Sequence, residues 1–360
     1  MHRVCFLGLL LTMLSGSSFG WQTAEPVAST PAFDHAPKIS HDLARILRKA
    51  EDGDTSAQFQ AALAFESGKG VTLDYAEAHK WYLKAANRGN LAAQNNLAAM
   101  YAKGLGVERN PAEALRWYLR AGAEGFPPAQ SNLGFIYANG EGVAQDDKTA
   151  FYWFRRAAEK GYATAQTNVG LMYVEGRGVE RSYQSAISWY KKAVAQNHTV
   201  AQFNLAALYS AGLGVPANPG EAFKLYRKAA QKGIALAEFR VGMSYFHGLG
   251  TTKNPEEGVK WTRKAAEQGV SQAENQLGFA YEHGLGVAQD YAEAVKWYTR
   301  ASNHGLPEAR QNLLIVQAQG LPMQERRLGD DPERSVEPQS PALSPSQSAK
   351  DHSSSLLNPK

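Results

Sequence analysis

Two glycine motifs in this sequence have the residue types and spacing of catalytic or nucleotide-binding loops. Gly16-Ser17-Ser18-Phe19-Gly20 fits Gly-x-Ser-x-Gly, which presents a nucleophilic serine between a strand and a helix, but here it follows an apolar N-terminal segment. A Gly-x-Gly pair recurs every 36 residues, and glycine-rich turns can cradle phosphate groups. These pairs lack the third glycine of a dinucleotide loop and the lysine of a P-loop. The sequence therefore predicts neither a catalytic serine nor a nucleotide site.

The histidines and the cysteine do not form a metal-binding pattern. His247 and His283 hold the same loop position in consecutive 36-residue units, where equivalent atoms are about 10 Å apart. Bonds to a single metal ion are about 2 Å long, so these two side chains cannot share one ion. The only cysteine, Cys5, lies in the N-terminal apolar segment. We predict a protein with no catalytic residue, no cofactor and no metal.

A basic residue recurs at one position of every unit, and such a column could contact a polyanion. Its members are Lys84, Arg120, Arg156, Lys192, Lys228, Lys264 and Arg300. Each lies toward the C-terminal end of a predicted helix, where the helix dipole stabilises a cation, and we favour this structural interpretation. A net charge of +4 is too small to indicate nucleic acid, so we predict no nucleic-acid partner. Binding to a polyanionic surface through the column is kept as an alternative.

The tetrapeptide Gly-x-Gly-Val marks the unit that positions all of these residues. Its copies begin at Gly68, Gly104, Gly140, Gly176, Gly212, Gly248 and Gly284. Only the copy at Gly248 departs from the pattern, because it ends in Thr251. A strict period of this length indicates a repeat array rather than several unrelated domains.

Each unit has the sequence pattern of two antiparallel helices. Apolar residues from Ala93 to Tyr101 form one helical stripe, which Gly104 ends. Asn110 can cap the next helix, and Glu113 can close a capping box with it. The sequence therefore predicts an all-α fold, an α-solenoid of seven 36-residue helix-turn-helix repeats.

The predicted solenoid occupies residues 40–320 and has a capping helix at each end. Residues 40–52 resemble a lone second helix, and residues 307–319 resemble a lone first helix. From residue 321 to residue 360, proline and serine are scattered without an apolar period, so we predict a disordered tail.

The N-terminus has the composition of a secretory signal peptide. A short positive start precedes an apolar run, and Ser18-Phe19-Gly20 supplies small residues for cleavage after Gly20. We predict a signal peptide at residues 1–20, a flexible leader at residues 21–39, and no membrane span after cleavage. Export to the bacterial periplasm is the expected destination, with secretion from the cell and a retained N-terminal anchor as alternatives.

The string Ala129-Gln130-Ser131-Asn132-Leu133-Gly134-Phe135-Ile136-Tyr137, together with the pattern Ala-x-x-Trp-x-x-Lys/Arg-Ala-Ala-x-x-Gly of the second helices, resembles the Sel-one-like repeat family. This family is related to the tetratricopeptide repeats, and the resemblance covers roughly residues 40–320. It implies a right-handed superhelix that serves as an adaptor or scaffold, and it carries no catalytic residues. A cysteine-rich branch is associated with penicillin binding and β-lactam hydrolysis. This chain lacks the paired cysteines of that branch, so an enzyme acting on cell-wall or β-lactam compounds is an alternative only.

The side of the first helices that faces away from the core is the best functional lead, because in relatives it lines the concave groove. Its residues are unusually apolar, which favours a binding surface for a protein or peptide. The predicted partner-binding residues are Phe203, Asn204, Phe239, Arg240, Met243, Phe246, Gln276 and Phe279. Arg240 could hold a carboxylate of an extended peptide, whereas most members of its column are asparagines expected to bond to the preceding repeat. The alternative is that neighbouring repeats half bury the apolar residues.

Overall fold

The computed structural model describes residues 40–329, which form sixteen α-helices and contain no strand. The helices are α1 (His41–Glu51), α2 (Thr55–Ser67), α3 (Tyr75–Asn87), α4 (Leu91–Lys103), α5 (Pro111–Ala123), α6 (Pro127–Asn139), α7 (Asp147–Glu159), α8 (Ala163–Glu175), α9 (Tyr183–Ala195), α10 (Thr199–Ala211), α11 (Pro219–Ala230), α12 (Ala235–His247), α13 (Pro255–Glu267), α14 (Ser271–His283), α15 (Tyr291–Asn303) and α16 (Pro307–Gly329). Each helix packs mainly on its neighbours in sequence. Helices α2 and α3 form repeat one, and the pairs continue to α14 and α15 in repeat seven. The predicted helical solenoid of seven repeats is confirmed.

The start of each second helix is fixed by a side-chain cap and by a backbone bond from the first helix. In repeat two, the Asn110 side chain accepts a hydrogen bond from the Glu113 N–H at 3.1 Å, as predicted for an N-cap. The Asn110 N–H donates to the Tyr101 carbonyl at 2.8 Å. Because that N–H is already used, Glu113 does not close the predicted capping box and pairs with Arg116 at 2.5 Å instead.

The two glycines of each Gly-x-Gly turn have different roles. Gly104 ends α4 in the left-handed conformation at φ 72°, which confirms its predicted role. Gly106 packs on the start of α3 in the preceding repeat, where an added Cβ atom would overlap the Tyr75 carbonyl. The second glycine is therefore required for contact between repeats as well as for the turn itself.

The core alternates large rings on second helices with small residues on first helices. In repeat four, a Cβ atom at Gly170 would lie 2.5 Å from the Tyr190 ring, so the two helices can approach only because this residue has no side chain. The ring positions of the seven second helices are Tyr82, Tyr118, Phe154, Tyr190, Tyr226, Thr262 and Tyr298. Repeat six is the exception, since Thr262 has no ring.

The last helix is longer than the sequence analysis predicted. Helix α16 begins at Pro307 and continues to Gly329, past the boundary predicted at residue 320. Residues 324–328 are Gln, Glu, Arg, Arg and Leu, which favour helix, and Pro322 is the only proline between Pro307 and Pro332. The predicted signal peptide, the leader and the tail beyond residue 329 lie outside the described residues.

Candidate protein-binding surface

The predicted partner-binding residues lie on the first helices of repeats five, six and seven. Phe203 and Asn204 are in α10, Phe239, Arg240, Met243 and Phe246 are in α12, and Gln276 and Phe279 are in α14. The structure thus places them on successive units of the array. Their surroundings differ, however, and the set divides into buried residues and residues at the surface.

Three of these residues are buried, so their side chains offer little surface to a partner and they are left out of the candidate surface. Phe239 is 7% exposed and Phe246 is 2% exposed, and both belong to a hydrophobic cluster that contains Val259 and Leu277. Asn204 is 8% exposed. For this group, the alternative expectation of burial by neighbouring repeats describes the structure better.

Phe246 packs against Gly258, a position at which the other six repeats have alanine. Repeat six has Thr262 where repeat seven has Tyr298, and Gly258 where repeat seven has Ala294. A Cβ atom at Gly258 would be 3.0 Å from the Phe246 ring. Smaller side chains at Gly258 and Thr262 on the second helix therefore accompany the larger side chain of Phe246 on the first helix.

The polar residues at the position equivalent to Arg240 link neighbouring repeats. The Asn132 side-chain amide donates to the Asn95 side-chain oxygen at 3.0 Å, and Asn312 donates to Asn275 at 2.9 Å. Both bonds cross to the preceding repeat, which confirms the structural role expected for asparagine here. Gln276 holds the equivalent position in repeat seven and is half-buried, so it is a weaker candidate for partner contact than its neighbour Phe279.

Phe203 and Arg240 both lie near the buried Tyr226. The Phe203 ring is half-buried, with its centre 5.5 Å from the centre of the Tyr226 ring. Burial raises the pKa of Tyr226 to about 12, and the charge of Arg240 acts against that rise. Arg240 is therefore close enough to influence the core of repeat five, and its use as a clamp for a peptide carboxylate stays a prediction.

The remaining residues define an exposed apolar surface at the C-terminal end of the array. Phe279 is 40% exposed, and Met243 is partly buried at the edge of its cluster. Ile315, one unit after Phe279, is 51% exposed, and sequence reasoning missed it. Continuing the 36-residue count into the capping helix would have found it. We call Met243, Phe279 and Ile315 the apolar strip.

His283 supports the exposed ring of the apolar strip from one side. Its imidazole stacks on Phe279 with ring centres 4.1 Å apart, and its Nδ1 atom is 3.1 Å from the Phe279 carbonyl oxygen. The stack limits the rotation of the Phe279 ring. His283 thus helps to fix the position of the Phe279 ring.

The basic column on the second helices is accounted for by cation–π contacts. In six repeats the cation lies over the ring of the tryptophan three residues earlier, at distances of 3.9–5.5 Å from a ring centre. The exception is Lys228, because repeat five has Leu225 in place of tryptophan. The recurrence of a cation at this position therefore has a local structural cause.

Residues 40–329 include neither a cluster of metal-binding side chains nor a membrane-spanning helix. They contain no group of three or more His, Cys, Asp or Glu side chains placed to hold a metal ion. No helix in that range combines the length and apolar composition needed to cross a bilayer.

Seven stacked helix pairs with a strict 36-residue period define an α-helical repeat protein. The family model described as Sel1 repeat matches residues 55–90, 91–126, 127–162, 163–198, 199–234, 235–270 and 271–306. The chain therefore belongs to the Sel1 repeat family, whose members are typically scaffolds for protein interaction.

Two solved structures extend this comparison. The c5321 protein, a protective antigen of uropathogenic Escherichia coli strains with an SLR fold, is 35% identical with a TM-score of 0.70. The match covers 75% of this chain but only 58% of that protein's length. A Sel1 repeat protein from Oxalobacter formigenes is 33% identical with a TM-score of 0.62, over 76% of this chain and 79% of the other. Among curated protein sequences, none matches this chain.

Proposed function

We propose that this protein is an exported, non-catalytic adaptor that binds a protein or peptide segment along the apolar strip in the groove of the solenoid. Membership of a family of interaction scaffolds supports the general role. The apolar strip supports the location, because it leaves hydrophobic side chains exposed on adjacent units.

The exposure of Phe279 is the observation that carries this proposal. Its ring is 40% exposed although the equivalent positions in repeats two and five hold Ala99 and Ala207, so the array does not need a large side chain there. Aromatic side chains are frequent among the residues that dominate binding energy in protein interfaces. A partner is therefore the best explanation for an exposed aromatic ring at this position.

The test is substitution of the strip with a matched control on another surface. Phe279→Ala combined with Ile315→Ala should weaken the affinity for a captured and purified partner by about 30-fold or more, which corresponds to roughly 2 kcal/mol. Tyr152, which is 51% exposed on α7, supplies the control Tyr152→Ala. The melting temperatures of both variants should stay near that of the parent chain.

Two results would count against the binding site. Unchanged partner affinity in the Phe279→Ala, Ile315→Ala variant would remove the apolar strip from the interface. An equal loss of affinity in the Tyr152→Ala variant would show that the effect is not specific to the strip.

Export is a separate part of the proposal and has its own experiment. If residues 1–20 are a cleaved signal peptide, the mature chain begins at Trp21, and N-terminal sequencing of protein from the periplasmic and extracellular fractions should find that residue. A chain that retains residues 1–20 in the membrane fraction would instead indicate an anchor.

A further inference from the structure

The apolar strip ends on the helix from which the C-terminal segment continues. In each of the seven repeats a second helix packs on the first helix, whereas α16 has no second helix within the described part of the chain. Leu314 is 64% exposed and Ile315 is 51% exposed on α16. In repeat seven the position equivalent to Leu314 is Gly278, which lies under the Tyr298 ring. Helix α16 thus presents apolar side chains at the end of the binding surface.

The residues after α16 have the right length to return to this surface. From Ile315 to Gly329 the helix rises about 21 Å, at about 1.5 Å per residue. An extended chain advances about 3.3 Å per residue, so about seven residues cover the return. Counted from Gly329, Val336 is then the first residue that could lie level with Ile315.

The same count continued along the strip selects one short segment. Ile315, Phe279 and Met243 lie on adjacent units about 10 Å apart, so the strip is about 20 Å long. An extended segment needs about six further residues to cover it, which places its end near Leu343. Residues 336–343 read Val-Glu-Pro-Gln-Ser-Pro-Ala-Leu, with five apolar residues and one charge.

Composition separates this segment from the residues around it. Residues 330–334 contain three acids and one arginine, and residues 344–355 are mostly serine and other polar residues. Prolines at 338 and 341 favour an extended conformation with three residues per turn and about 3.1 Å per residue. Side chains three apart then repeat at about the spacing of the solenoid units.

We propose that residues 336–343 of the same chain bind along the apolar strip and compete there with the external partner. This inference rests on the proposed function of the strip as a peptide-binding surface. The tail covers the hydrophobic side chains of the strip until a partner displaces it, and the chain regulates its own binding site.

Methyl NMR with a spin label on the tail tests this contact in the full chain. A Cys5→Ser background allows a nitroxide to be attached at Gln339→Cys alone. The methyl signals of Met243 and Ile315 should lose intensity severalfold relative to the same sample with the label reduced. Met100 and Met172, which are buried in repeats two and four, supply reference methyls whose signals should not change. If none of the four methyl signals loses intensity relative to the reduced sample, the proposal is overturned.

Two tail variants make the segment assignment specific. Val336→Asp with Leu343→Asp should abolish the intensity loss at Met243 and Ile315, because both apolar ends of the segment become charged. Leu356→Asp with Leu357→Asp places the same charges on the other apolar pair of the tail and should leave the intensity loss intact. The reverse pattern would assign the contact to the second pair and contradict the proposal.

A mixing experiment separates binding within one chain from binding between copies. Spin-labelled chain without isotope label is mixed with methyl-labelled chain that has no nitroxide. No intensity loss is expected in the mixture. A loss at Ile315 there would show that a second copy supplies the tail, which overturns the same-chain assignment.

The failure of this inference and the failure of the proposed function give different results. If the tail does not bind, the NMR signals stay unchanged while Phe279→Ala still weakens the partner. If the strip binds only the tail, the methyl signals of Met243 and Ile315 still lose intensity while Phe279→Ala leaves the partner affinity unaltered. If both proposals hold, Val336→Asp with Leu343→Asp raises the partner affinity.

Discussion

Phe246, Gly258 and Thr262 form a compensated exchange inside the core of repeat six. Repeat two has Ala102, Ala114 and Tyr118 at the three equivalent positions. The ring has moved from the second helix to the first helix, and the small residue has moved in the opposite direction. The total side-chain volume at the three positions changes little, which is the condition under which cores tolerate simultaneous substitutions.

The exchange predicts strong non-additivity between these positions. Phe246→Ala should lower the free energy of unfolding by about 3–4 kcal/mol, because it leaves a cavity beside Gly258. Adding Gly258→Ala and Thr262→Tyr gives repeat six the combination of repeat two and should recover most of that loss. Denaturant unfolding of the single and triple variants measures the difference, and equal loss in both would refute the exchange.

A second residue-scale pattern distinguishes the last two repeats from the others. In repeats one to four, a buried glutamine on the first helix donates to a carbonyl of the preceding second helix, as Gln94 does to Ala86 at 3.0 Å. Repeats six and seven have Glu238 and Glu274 there, 6% and 0% exposed. A carboxylate cannot donate that bond, so each glutamate needs a different partner.

Glu238 should make the stability of repeat six depend on pH. Burial raises the pKa of Glu238 above its ordinary value, and the hydrogen bond from Gln268 at 2.7 Å only partly opposes the rise. A carboxyl with a higher pKa in the folded state binds its proton more readily there, so its stabilising contribution is full at acidic pH and is lost as the pH rises through the folded pKa. Glu238→Gln should therefore raise the free energy of unfolding at neutral pH by about 1 kcal/mol. This gain in stability should shrink on acidification. Thermal unfolding of both chains at several pH values measures it, and a gain that stays constant with pH would contradict the prediction.

Glu274 provides the opposite case at the equivalent position. Its carboxylate is 3.0 Å from Arg300 Nε and 2.8 Å from His304 Nδ1, while Arg300 also donates to the Ala266 carbonyl at 3.3 Å. Glu274→Gln removes the charge that both partners face and should lower the free energy of unfolding by about 2 kcal/mol at neutral pH. The same substitution thus has opposite signs in adjacent repeats, and two changes of the same sign would refute this comparison.

Comparing the residues at one equivalent position of the repeats was enough to predict some roles but not the burial of every candidate residue. The N-caps and helix-ending glycines were predictable because each acts through bonds within a few residues of itself. The burial of Phe239 and Phe246 was not, since it depends on which residues the adjacent helix supplies. Reading three columns together would have exposed the Phe246 exchange, whereas Phe239 looks like an exposed neighbour of Met243 in any one column.

At the scale of elements, the Gly-x-Gly turn is the joint between consecutive repeats. Gly106 at φ 66° lies against the start of α3, and Gly250 lies in the same way against the start of α11. The helix after a glycine-rich turn could be predicted from sequence, but the contact of that turn with another repeat could not. Helix α16 shows the same limit, because the chain was expected to stop being helical where the repeat pattern stops.

A pair of glycine variants separates backbone strain from contact between repeats. Gly106→Ala should lower the free energy of unfolding by about 3 kcal/mol, because it combines an unfavourable φ with overlap against α3. Gly89, at φ 88°, has open space around it, so Gly89→Ala should cost only the strain, about 1 kcal/mol. Thermal or denaturant unfolding compares them, and equal losses would show that the contact contributes nothing.

At the scale of the whole molecule, each repeat contacts mainly its neighbours, and the strip occupies only one end. Removing one complete unit in phase should therefore shorten the array without disturbing the strip. Deletion of residues 127–162 should keep the helical circular dichroism per residue and the partner affinity, although the melting temperature should fall. Deletion of residues 271–306, which removes Phe279, is the matched control and should abolish binding. Loss of binding in both deletions would place the partner site elsewhere.

The second glycine of each turn packs on the preceding unit, so the contacts between units follow the order of the chain. The turn of each later repeat packs on the repeat before it. The turn of repeat one packs on the start of α1, where the N–H of the N-cap residue Ser40 donates to the Gly70 carbonyl at 3.0 Å. The support for each new repeat is thus already present when its own turn emerges from the ribosome. A chain built this way can fold in the order of its synthesis, with the earlier part acting as the template for the next. The C-terminal end of the solenoid, with its apolar strip, is then the last part to be completed.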